Sequence, residues 1–221
     1  MSAPLAVDIW SDIACPWCYI GKRKFEEGVR RFGGDVAVIY HSYELSPETP
    51  VDFDGSELDF LTAYKGQPRN VMQQMLDRVT EVARDAGLTY DFDRLQHTNT
   101  VLAHQLLHLA RAHGRQTEMA ERLFRAYFTE GRHIGRIDSL AELAAEIGLD
   151  PDEVQRALTA GEYLPAVRAD QEQAQAYGIQ GVPFFVIDGR YGISGAQDPD
   201  VFASALGQVA AELDGAAETV R

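Results

Sequence analysis

Cysteine is almost absent: among 221 residues there are two, Cys15 and Cys18, three positions apart. So few exclude a disulfide scaffold. With no second C-x-x-C, a structural zinc site would need two of the six histidines, and none follows the pair at finger-like spacing. Basic residues are also few, 20 against 34 acidic, and a net charge of −14 argues against nucleic acid and anionic membrane surfaces as partners. No apolar run approaches the length of a membrane span. Met1-Ser2-Ala3-Pro4 lacks both a basic n-region and an apolar h-region, so the expectation is a cytoplasmic protein without an export signal. In a reducing cytosol a disulfide is more often transient and catalytic than structural.

What is present centres on residues 7–25. Leu5, Val7 and Ile9 alternate with Ala6, Asp8 and Trp10, as in a strand with two faces. Pro16 suits the first helical position, which makes Cys15 the N-cap, and Gly33-Gly34 supplies the stop. The strand thus delivers Cys15 to a helix N-terminus, where backbone N–H groups and the macrodipole favour a thiolate. Cys18 lies on the same face within reach. Two buried structural thiols are the alternative reading.

Val36 to Leu45 reads as a second strand, completing a βαβ unit with parallel strands. About six helices follow. Ser56 with Asp59 caps the first, and Pro68 opens a second with a stripe of Val71, Met75, Val79, Val82 and Ala86. Segments 100–113, 118–130, 139–147, 151–160 and 163–177 continue the helical pattern, most closed by a glycine. Strand character returns at Phe184–Ile187 and Arg190–Ser194 around Asp188-Gly189, a hairpin signal, and Pro199 starts a final helix. The expected fold is α/β: a thioredoxin-like fold with a helical insertion between an N-terminal βαβ unit and a C-terminal ββα unit. The divisions are 1–55, 56–178 for the insertion, 179–214, and a frayed tail 215–221.

Cys-Pro-Trp-Cys-Tyr-Ile-Gly at 15–21, the helical insertion, Gly181-Val182-Pro183-Phe184-Phe185-Val186 and Ser194-Gly195-Ala196-Gln197 together resemble the DsbA-like thioredoxin superfamily, nearest its FrnE-like cytoplasmic branch. Related branches include 2-hydroxychromene-2-carboxylate isomerase and the kappa-class glutathione transferases. The resemblance implies that Cys15 is the nucleophile, Cys18 the resolving cysteine and Pro183 a cis-proline opposite the dithiol. Asn99-Thr100 with Ala103-His104 resembles a signature on an insertion helix facing the site, which makes Asn99 and His104 candidates for lining it. Tyr43-Glu44-Leu45-Ser46-Pro47 matches in part, although His41-Ser42 stands where the branch often has Arg-Pro. Glutathione-dependent relatives usually carry serine in place of the first cysteine, so two cysteines favour dithiol–disulfide exchange.

Asp8 resembles the family's buried acid beneath the dithiol, a proton acceptor for Cys18; the alternative is a charge at a strand end. Asp12 reads as a loop residue. Pro16 and Trp17 lie between the sulfurs, and Trp17 either tunes the thiolate or docks substrate. Val182 should keep its carbonyl and N–H free to pair with an extended substrate. His104 and His108 stand one turn apart without a third metal ligand, and His97, His113 and His133 receive no role. The expected function is thiol–disulfide exchange with disulfide- or thiol-bearing protein substrates, by a monomer or homodimer. No cofactor or metal is required, and glutathione is a candidate redox partner. The competing readings are a glutathione-using transferase or small-molecule isomerase, and a holdase with an incidental dithiol.

Overall fold

The computed structural model describes residues 4–219. Met1, Ser2 and Ala3 of the N-terminal reading, and Val220 and Arg221 of the tail, lie outside it. Strand β1 (Leu5–Ser11) leads into α1 (Pro16–Phe32) and β2 (Val36–Ser42). The insertion runs through α2 (Glu57–Lys65), α3 (Arg69–Asp85), α4 (Val101–Ala112), α5 (Gln116–Phe128), α6 (Ile137–Ala145), α7 (Pro151–Ala160) and α8 (Leu164–Ala176). The chain returns with β3 (Phe184–Ile187), β4 (Tyr191–Ser194) and α9 (Pro199–Thr219). The sheet order is β2-β1-β3-β4, with β1 parallel to β2 and antiparallel to β3. Among the described residues this is the expected α/β thioredoxin-like layout, with seven inserted helices, one for each helical segment named from the sequence.

The alternation in β1 sorts its side chains onto two faces. Leu5, Val7 and Ile9 enter the main core with Phe25, Phe185 and Phe202. Trp10 points the other way, into a smaller cluster with Ala174, Ile179 and Val186. Helix α1 begins where Pro16 occupies its first position after an extended Cys15 (φ −88°, ψ 113°). It ends at Gly33, whose φ of 74° lets its N–H reach the Val29 carbonyl at 3.0 Å.

Several details differ from the sequence reading. β2 stops at Ser42, whose pairing with Ser11 is closed by the Tyr43 N–H donating to the Ser11 carbonyl (3.1 Å), the last rung between the two strands. The buried stripe of α3 is Met72, Leu76, Val79 and Ala83, while Val71 is 40% exposed; the expected stripe is rotated by about one residue. Helix α9 continues through Gly215 to Thr219 instead of fraying at 215, since one glycine costs a helix only about 1 kcal/mol.

Candidate active site

Both cysteines are free thiols at the start of α1, and both are buried, Cys15 at 5% and Cys18 at 2% exposure. Burial first, then the neighbouring Cys15 sulfur, pushes the Cys18 thiol well above its ordinary value. The buried Ser11 hydroxyl faces Cys18 without an aligned bond to any protein group, and it pulls that thiol back down, as a donor to the thiolate does. Opposite, the Val182–Pro183 bond is cis and the Cys15 Sγ–H donates to the Val182 carbonyl at 3.6 Å. The carbonyl expected to be free is therefore engaged by the nucleophile. A Cβ on Gly21 would sit 2.8 Å from Pro183 Cγ, so this glycine lets α1 seat directly on the proline.

A cleft of about 260 Å³ opens from Cys15. Its mouth carries Pro16 and Trp17, and Trp17 is 40% exposed. Residues of α2 and α3 form its far wall. The Tyr90 hydroxyl braces the helix start by donating to the Pro16 carbonyl at 2.7 Å. Among the described residues, no three His, Cys, Asp or Glu side chains gather to hold a metal ion.

Comparison with known proteins places this geometry. The family model of the DSBA-like thioredoxin domain matches residues 6–207. The chain belongs to the DSBA-like thioredoxin family. The YwbO protein of Bacillus subtilis is 32% identical over 202 residues, covering 90% of this chain and 94% of YwbO. The crystal structure of the probable DsbA oxidoreductase SCO1869 from Streptomyces coelicolor superposes with a TM-score of 0.86 at 40% identity, covering 94% of this chain and 91% of that one. The cytosolic disulfide reductase DsbM of Pseudomonas aeruginosa shares the fold, with a TM-score of 0.66 at 19% identity over 95% of this chain and all of that one.

Within this DSBA-like site the acids are arranged differently from the sequence reading. Asp8 is not beneath the dithiol. It lies on the Trp10 face of β1, opposite the face that carries Ile9 and Ser11, and its Oδ1 is 2.7 Å from His41 Nε2. His41 Nδ1 in turn contacts Asp170 Oδ1 at 2.7 Å. The other Asp170 oxygen accepts from the Ser42 N–H (2.7 Å) and lies 3.0 Å from His108 Nε2. Burial works against a charged His41, but Asp170 and then Asp8 outweigh it and raise its pKa. Burial likewise opposes the Asp170 carboxylate, and His108, His41 and the Ser42 amide hold its pKa far below the usual range.

The acid behind the dithiol loop is Asp12, read as a loop residue from sequence. It is 1% exposed and accepts from the Ala14 N–H (3.2 Å) and the Leu45 N–H (2.8 Å). His104 Nε2 stands 3.4 Å from Asp12 Oδ1, an ion-pair distance rather than an aligned hydrogen bond. Burial opposes the Asp12 carboxylate, yet His104 and the two amides bring its pKa below the ordinary value. His104 is fully buried, so it supports Asp12 and does not line the cleft. Asn99 does not line it either. Its Oδ1 accepts from the Val101 N–H (2.9 Å) and its Nδ2 donates to the Pro47 carbonyl (2.8 Å), clasping the β2–α2 loop to the start of α4.

The histidine that does line the cleft is His97, which the sequence left without a role. Its Nδ1 is 2.7 Å from Glu57 Oε2, and Phe60 stacks on its ring at 3.5 Å between centroids. Its partner Glu57 lies forty residues away, and no local spacing in the sequence joins the two.

Proposed function

We propose that this protein catalyses thiol–disulfide exchange, with Cys15 as nucleophile, Cys18 as resolving thiol and protein disulfides or thiols as substrates. The observation that carries this reading is a reduced dithiol at a helix N-terminus whose first sulfur touches the carbonyl before cis-Pro183. The Cys15 thiolate attacks a substrate disulfide, forming a mixed disulfide and expelling one substrate thiolate. Cys18 then loses its proton and attacks the Cys15 sulfur, forming the Cys15–Cys18 bond and expelling the second substrate thiolate. The enzyme gives up two electrons and two protons, and the substrate gains them as two thiols. A low-molecular-weight thiol such as glutathione returns the dithiol. Burial and the neighbouring Cys15 sulfur both hold the Cys18 thiol protonated, and tying up the Cys15 sulfur in the mixed disulfide removes the second of these.

An extended substrate pairs with the Val182 segment as an added strand, displacing the Cys15 S–H from the carbonyl it occupies. Insulin reduction with dithiothreitol, run beside glutathione conjugation of a model electrophile, tests the reading. Accelerated insulin precipitation that vanishes in Cys15→Ser is the expected result. Conjugation without insulin reduction would assign the fold to transferase chemistry instead.

A further inference from the structure

Exchange with proteins meets an obstacle of access. Cys15 is only 5% exposed, yet a protein disulfide carries two stretches of backbone up to the sulfur that attacks it. Across the cleft from Cys15 stands α2, which lines it with Glu57, Phe60, Leu61 and Tyr64. Of the nine residues in α2 only Glu57 is buried, and the helix packs chiefly against its neighbour α3. Few buried contacts mark a segment that opens at lower free energy than the body of a protein. A glycine flanks each end, Gly55 at φ 155° and Gly66 at φ 60°, conformations that other residues rarely take. The contacts holding α2 to the body are few. Glu57 Oε2 accepts from His97 Nδ1 at 2.7 Å, and the Tyr64 hydroxyl donates to the Leu45 carbonyl at 3.2 Å. The Phe60 ring is stacked on His97, and Phe53 packs edge-on against both rings. His97 Nε2 is buried without a protein partner, so hydration on opening offsets part of what these contacts lose.

We propose that α2 is a lid over the dithiol, latched by the Glu57–His97 contact and hinged at Gly55 and Gly66. Closed, it admits low-molecular-weight disulfides to Cys15 through the cleft. Its volume of about 260 Å³ lies just under the roughly 300–1,000 Å³ of small-molecule pockets and holds a disulfide with short arms. Protein disulfides reach the sulfur only when the lid swings away, so their rate is scaled by the fraction of molecules that are open. Hinges of this kind are a few residues at element ends that absorb the change in backbone angle. The proposal rests on the exchange chemistry given above and sets which substrates each state of the protein can take.

The test compares two adducts of the Cys18→Ser protein, which stops at the mixed disulfide. One is made with 2-hydroxyethyl disulfide, from which Cys15 expels mercaptoethanol. The other uses an unfolded single-cysteine protein presented as its thionitrobenzoate disulfide; Cys15 attacks the protein-side sulfur and expels thionitrobenzoate. Amide hydrogen exchange read by mass spectrometry then reports on each helix. In the free protein and the small adduct, α2 amides should exchange alike, and about ten-fold or more faster than those of the buried helix α4. In the protein adduct α2 should exchange about ten-fold faster still. Glu57→Ala releases the latch from the lid side and leaves the Tyr127 hydroxyl 3.5 Å from His97 Nδ1. It should raise the rate of insulin reduction, relative to that of 2-hydroxyethyl disulfide, by about ten-fold or more. Helix α2 as protected as α4, α2 exchange unchanged or slowed in the protein adduct, or new exchange confined to residues 178–183 overturns the lid and leaves the exchange chemistry standing. An unchanged rate ratio in Glu57→Ala overturns the latch. No adduct with either reagent overturns the exchange chemistry and the lid together.

Discussion

Single residues divide the labour at the dithiol. Cys15 opens onto the cleft, whereas Cys18 is buried and its thiol is held protonated by burial and by the sulfur beside it. The Cys18→Ser protein should therefore be alkylated at neutral pH far faster than the Cys15→Ser protein, whose rate should still be rising above pH 9, the ordinary value from which Cys18 is raised. Iodoacetamide labelling against pH measures both. The Ser11 hydroxyl, and after it the Asp12 backbone, favour the Cys18 thiolate. Hydrogen bonds to charged groups contribute about 1.5–3 kcal/mol, so Ser11→Ala should slow resolution of a preformed mixed disulfide by roughly ten-fold or more. Asp8→Asn, on the far face of the sheet, should leave that step unchanged; stopped-flow release of a Cys15-linked thiol separates the two variants. The strand alternation that placed Asp8 opposite Ile9 was readable in the sequence. What it could not convey was which face the α1 N-terminus would meet, and that depends on the turn at 12–15. Asp12 was missed for the same reason: its partners, Leu45 and His104, are brought to it only by tertiary packing.

At the scale of elements, buried charge fastens the insertion to the sheet. Asp170 of α8 joins His41 and Ser42 of β2 and His108 of α4, and Asp8 of β1 completes the contact to His41. Removing one partner of a buried ionic group costs about 3–5 kcal/mol, so Asp170→Asn should lower the urea-unfolding free energy by roughly that amount. The pH dependence follows from the direction of each shift. The His41 pKa is raised on folding, so its contribution is complete below the unfolded value near 6.5 and fades as pH climbs through the folded value. The Asp170 pKa is depressed, so its contribution is present above the unfolded value of about 3.9 and is lost as pH falls through the folded one. Urea titrations across pH should show stability falling on the alkaline side of pH 6.5, and His41→Gln should flatten that limb. None of this latch was legible beforehand, since residues 8, 41, 108 and 170 share no spacing. The helices themselves were legible, because their stops are local: Gly161, at φ 64°, ends α7 where a side chain would be strained. The α3 face was misread, where apolar residues on adjacent positions let two stripes compete.

The whole molecule carries an excess of fourteen negative charges. Like charges spread over one compact body repel, and salt screens them once the Debye length falls to about 10 Å, near 0.1 M. Raising sodium chloride from about 10 mM to about 200 mM should therefore raise the Tm, with little effect on the buried Asp170 contacts. A Tm that falls with salt would mean that the surface ion pairs outweigh the repulsion. Among the described residues no helix is long and apolar enough to cross a membrane. The order of elements, and hence the family fold, could be read at this scale from periodicity and two motifs; the cleft could not, because its walls come from segments far apart in the chain.

The antiparallel pairing of β1 with β3 sets the order in which the site comes into being during synthesis. Val7 meets Ile187 only after the entire helical insertion has been made. A ribosome adding about 5–20 residues per second needs roughly ten to thirty seconds to travel from the dithiol to the loop at Pro183. Through that interval both thiols ride on a nascent chain whose closing strand does not yet exist. Contacts of such long sequence separation also form slowly once the chain is free. A newborn copy is thus exposed to oxidants and stray thiols before it has any means of directing the chemistry of its own sulfurs.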